Sequence, residues 1–88
     1  MTVPELIESY GYEDVLIFDN PSYEDAFIGI TEDGRAVYDY DLMVACLVKE
    51  DGMSEEEATD FISYNTIRSL PYYEDSPVVM YRIRREEL

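Results

Sequence analysis

The chain has 88 residues, room for one domain around a modest core, since chains of this size bury only about 60–65% of the surface they expose when unfolded. Twenty-one acidic residues against six basic ones give a formal charge of −15. That balance argues against direct nucleic-acid binding, which gains counterion release from a positive footprint.

No apolar run approaches the ~20 residues of a membrane span. The opening MTVPELIESY has neither a basic start nor a long apolar stretch, so no secretory signal is read and a cytoplasmic setting is expected. The chain nevertheless has the composition of a folded protein, being 47% hydrophobic with nine tyrosines. Cys46 is the only cysteine and there is no histidine. An internal disulfide is therefore excluded, a Cys–His nucleophile has no base, and the usual zinc ligand set is missing. Cys46 is expected as a buried small hydrophobe, and no cofactor is expected.

Taken in order, Thr2, Pro4 and Glu5 predict a capped helix start. The Thr2 hydroxyl and the Glu5 carboxylate are spaced for a capping box, and Pro4 falls where the amide has no internal acceptor. Leu6, Ile7 and Tyr10 give a short apolar side, and Gly11 suits the left-handed stop. Val15–Phe18 reads as a short strand or a buried extended segment, followed by a strong turn at Asp19–Ser22. Strands are predicted near 25–31 and 35–38, joined by Asp33-Gly34 with Gly34 at positive φ.

The stretch 38–68 reads as two helices joined by a tight turn. Asp39 is the better cap for the first, whose apolar face runs Leu42, Met43, Cys46 and Leu47, with Ala45 and Val48 broadening it. Gly52 ends it. Ser54 and Glu57 then form a second capping box, with Met53 and Ala58 as a weak hydrophobic staple. Glu55, Glu56 and Glu57 sit in the first turn, where exposed amides favour negative charge. Ala58, Phe61, Ile62 and Asn65 are expected to face inward, and the helix to end near Asn65 or Thr66. The acidic start of this second helix makes the pair a poor DNA reader.

Pro71 is expected to bias Leu70 away from helical geometry. After a turn at Glu74–Pro77, Val78–Tyr81 is the clearest final strand, expected to pair antiparallel with a hairpin strand. Arg82, Arg84 and Arg85 hold half of the basic residues, beside Glu86 and Glu87. The predicted fold is α+β: a small antiparallel sheet of about three strands packed against two or three helices, in one domain spanning residues 1–88.

Asp33, Asp39, Asp41, Glu50, Asp51, Glu55, Glu56, Glu57 and Asp60 are the densest acids. The plain explanation is a solvated face; the functional one is a docking surface for a basic protein, potentially spaced like backbone phosphates. Asp39 and Asp41 with Asp51 lack the ordered oxygen ligands of a calcium loop, so no metal site is assigned. Most tyrosines read as amphipathic core edges. Tyr72 and Tyr73, beside a proline, are the candidates for interface anchors, with Arg68 orienting them or binding a carboxylate.

The segment GMSEEEATDFISYNTIRSLPYY followed by SPVVMY resembles a group of small, uncharacterised acidic bacterial proteins, some of them phage-associated. The likeness spans roughly residues 34–81 and implies a bacterial or phage origin. It adds to the case for an accessory or inhibitory binding protein. The expected function is thus a non-enzymatic protein-interaction module using Glu55, Glu56, Asp60, Arg68, Tyr72 and Tyr73 against a basic partner. A small carboxylate- or metal-dependent hydrolase and a structural homodimer are the alternatives.

Overall fold

The N-terminal helix forms where its capping residues require it. In the computed structural model, which describes residues 2–83, α1 spans Val3–Ser9. The Glu5 amide donates to the Thr2 hydroxyl at 3.3 Å, and the Thr2 amide donates to the Glu5 carboxylate at 3.0 Å. A third first-turn amide, that of Val3, donates to the Glu24 carboxylate at 2.9 Å. This bond ties a short helix, marginal on its own, to the body of the protein. Gly11 follows at φ +86°.

Val15–Phe18 forms no strand, and it is only partly buried: Leu16 is 41% exposed. Val15, Ile17 and Phe18 pack on the core, and the Phe18 amide donates to the Tyr38 hydroxyl at 3.3 Å. A side chain, not a ladder, therefore holds this segment against the sheet. A 3₁₀ turn at Glu24–Ala26 leads into β1, Phe27–Ile30, which pairs antiparallel with β2, Ala36–Asp39. Gly34, in the connection, has φ +85°. The register slips between Phe27 and Gly29, so Ile28 is the extra residue of a bulge.

The third strand, β3 at Val78–Met80, lies beside β2 in the order β1-β2-β3. Its pairing is parallel, with Val37, Tyr38 and Asp39 opposite Val78, Val79 and Met80. The antiparallel pairing expected for this strand is thus corrected, and the sheet is mixed. The reason lies in the connection: residues 40–77 cross over through the helices and return in the direction of β2, as a parallel neighbour requires.

Helix α2, Tyr40–Asp51, starts with the Asp39 carboxylate accepting the Leu42 amide at 3.1 Å. It stops at Gly52, φ +67°. Met43, Cys46 and Leu47 are buried, whereas Ala45 and Val48 are exposed. The expected broadening of the apolar face does not occur, because Ala45 stands about 200° round the helix from Met43 at 3.6 residues per turn.

Helix α3, Glu55–Phe61, begins with the Ser54–Glu57 capping box, its two bonds 3.1 and 3.0 Å long. The helical run then continues past Thr66 as a π turn, Ile62–Thr66, and 3₁₀ turns, Ile67–Tyr72, that include Pro71. Leu70 is therefore helical, contrary to the bias expected from Pro71. The run ends one residue later, with Tyr73 extended at φ −121°. Ala58, Ile62 and Thr66 face inward. Asn65 is exposed, not inward, and donates its side-chain amide to the Phe61 carbonyl at 3.2 Å. The wider π turn brings the next residue, Thr66, onto the buried side instead.

The core joins Tyr23, Ala26, Ala36, Tyr38, Met43, Cys46, Leu47, Ala58 and Ile62. Tyr23, at φ +49° and 1% exposed, shares a 2.7 Å hydrogen bond with the buried Thr66 hydroxyl. The Phe18 ring meets Tyr23 edge-on at 5.4 Å and Tyr38 at 4.6 Å. Cys46 is a free, buried thiol, and burial pushes its pKa up. The expected charged tail from Arg84 to Glu87 lies outside the described residues.

Candidate functional site

The surface chemistry begins at the first turn of α3. Its three glutamates are all exposed, but they are not equivalent. Glu57 closes the capping box, and the Ser54 amide and hydroxyl hold its carboxyl below the usual range. Glu55 and Glu56 make no side-chain hydrogen bond to another described residue. One turn on, Asp60 lines a shallow depression with Met53, Glu57, Phe61, Tyr64 and Asn65. Tyr64 is 67% exposed there, so a ring expected as a core edge instead stands beside the acids.

The aromatic candidates lie at the other end of the same helical run. Tyr72 is 85% and Tyr73 56% exposed, and Arg68 is exposed as well. Tyr73 lines a second depression with Leu70, Pro71, Tyr81 and Arg35. From Glu55 to Tyr72 the backbone is continuously helical, a run of roughly 25 Å at about 1.5 Å per residue. The six sequence-predicted residues are therefore strung along one long element, too far apart for a small-molecule site. Of Glu55, Glu56 and Asp60, only Asp60 shares a depression with aromatic rings, those of Phe61 and Tyr64.

The described cations do little to neutralise these acids. Arg82 forms an ion pair at 2.5 Å with Asp39, which is 1% exposed. Burial pushes the Asp39 carboxyl up, but the Arg82 guanidinium and the Leu42 amide outweigh it and hold the group below its ordinary range. Arg35 donates from Nε to the Ser76 carbonyl at 2.9 Å and from Nη2 to the Ser76 hydroxyl at 3.4 Å. These bonds fasten the start of β2 to the approach to β3. Among the described residues no Lys or Arg lies within 4.0 Å of Glu55, Glu56 or Asp60.

Among the described residues no group of three His, Cys, Asp or Glu side chains is arranged to hold a metal ion. Asp39, one of the acids weighed for such a site, is already committed to the α2 cap and to Arg82. No helix of the described residues is long and apolar enough to cross a membrane.

Two features escaped the sequence reading. Tyr23 follows a turn signal and belongs to no periodic run, so nothing local marks it as core. A groove between α1 and β1, lined by Leu6, Tyr10, Tyr12 and residues 27–30, joins positions distant in sequence. Its only local trace is the pair of tyrosines flanking Gly11. Comparison with protein-family models, with curated proteins and with solved structures gives no match.

Proposed function

We propose that the protein is a non-enzymatic interaction module that docks a basic protein along the helical run from Glu55 to Tyr72 and the adjoining Tyr73. The observation that carries this reading is the exposure of Glu55, Glu56 and Asp60 with no described cation within 4.0 Å. Exposed, unpaired carboxylates of that kind steer a cationic partner and set its orientation. Tyr64, Tyr72 and Tyr73 supply large, rigid rings for the dry part of such a contact. A run of roughly 25 Å matches the footprint of a protein and exceeds that of a small molecule. Such docking serves an accessory or inhibitory role.

The test is affinity capture from the native cell at low and moderate salt, using the parent chain and a Glu55→Gln, Glu56→Gln, Asp60→Asn variant. A basic protein recovered by the parent and lost with the variant supports the reading. Equal recovery by both, or no stable partner for either, overturns it.

A further inference from the structure

Among the described residues β1 is an edge strand whose single sheet neighbour is β2. The Thr31 amide donates to the Arg35 carbonyl at 2.8 Å. Antiparallel ladders alternate the direction of their backbone groups, so Ile30 turns its N–H and C=O away from β2. An edge of this kind pairs with another strand unless something blocks it. Native edges are blunted by shortness, bulges, proline, lysine or covering elements; β1 is short and bulged at Ile28, but it carries no proline or lysine and Ile28 is 47% exposed. Beside it runs the groove shared with α1, about 250 Å³ in volume. That is below the roughly 300–1,000 Å³ of drug-sized ligand sites and is suited to one or two side chains of a peptide.

The charge next to the groove selects the peptide. Ile7 and Tyr12 form the partition between the groove and a second depression lined by Glu8, Glu13 and Asp14. None of these three acids has a described cation within 4.0 Å. An apolar slot, an unpaired strand edge and three acids thus stand side by side, at residues distinct from those of the α3 run. A second copy of the chain would bring a like charge of −15 to the same place, so self-pairing is opposed by repulsion.

We propose that this face binds an extended segment of a partner protein that adds as a strand to β1. The segment places an apolar side chain between α1 and the strand, and a lysine or arginine against Glu8, Glu13 and Asp14. The backbone supplies affinity and the two depressions supply specificity, the division of labour in β-strand addition.

The test uses the full chain, isotope-labelled, titrated with a seven-residue peptide alternating lysine and valine. A second peptide has the same composition with a central proline, and a third replaces every lysine by glutamate. The expected result is saturable amide shifts at residues 6–14 and 27–31, strongest at Ile30. The proline peptide should bind at least tenfold more weakly and the acidic one not at all. A Glu8→Gln, Glu13→Gln variant should weaken the first peptide several-fold while leaving the fold unchanged by circular dichroism. Equal binding of the proline peptide, shifts confined to residues 55–73, no saturable shift, or concentration-dependent self-association through β1 would each overturn the proposal. Because these residues are separate from Glu55, Glu56 and Asp60, either reading can fail without the other.

Discussion

The Tyr23 hydroxyl and Thr66 are each other's partners in a site from which solvent is nearly excluded, with Tyr23 1% and Thr66 6% exposed. A buried hydroxyl stripped of its partner costs about 1–3 kcal/mol. Tyr23→Phe is therefore expected to lower stability by about that amount in urea unfolding. Adding Thr66→Val should recover part of the loss, because the stranded hydroxyl is then gone. Asp39 gives a second residue-scale expectation. Its carboxyl is held below the ordinary value of 3.8 by Arg82 and the Leu42 amide against the opposing effect of burial. A depressed carboxylate stabilises fully above its unfolded value and loses that contribution as the pH falls through the folded-state value. Asp39→Asn is expected to cost about 1–2 kcal/mol at neutral pH, the half-exposed Arg82 keeping the figure modest. The gap between parent and variant should close in a urea series as the pH falls below 3.8 and through the lower folded-state value.

At the scale of elements, Ser54→Ala removes the acceptor for the Glu57 amide and is expected to cost about 1 kcal/mol, read as a shift of the urea midpoint with unchanged slope. The cap was legible in the sequence because Ser54 and Glu57 meet within one turn. The same is true of Thr2 with Glu5 and of Gly34 and Gly52 at positive φ. Local chemistry decides such features, and local chemistry is what a sequence displays. The direction of β3 is decided by where residues 40–77 deliver the chain, and no property of Val78–Met80 encodes it. Thr66 and Asn65 trade places because a π turn changes the angular step, which α-periodicity cannot foresee. The candidate surface was legible in part. The composition marks Glu55, Glu56 and Asp60 as acids, and the helix start explains their exposure. Tyr64 and the α1–β1 groove depend on which side of the molecule each element shows.

For the whole molecule, twenty-one acids against six bases make the compact state self-repelling. Salt screens that repulsion over about 10 Å at 0.1 M. The melting temperature is therefore expected to rise between 10 mM and 200 mM sodium chloride. A gain of about 1 kcal/mol would appear as roughly 4–8 °C for a domain of this size. A fall in melting temperature with salt would mean instead that attractive pairs outweigh repulsion.

The parallel seat of β3 also dictates a sequence of events during synthesis. β2 is made well before Val78–Met80, the parallel neighbour that covers Val37 and Tyr38. Until Val78 has cleared the ribosome, the emerging polypeptide carries a two-stranded ribbon open along both borders. A hairpin of that kind is only marginally stable by itself in water. Completion of the sheet must then wait until Val78–Met80 has emerged, and the dense negative charge, by keeping nascent copies apart, guards that interval.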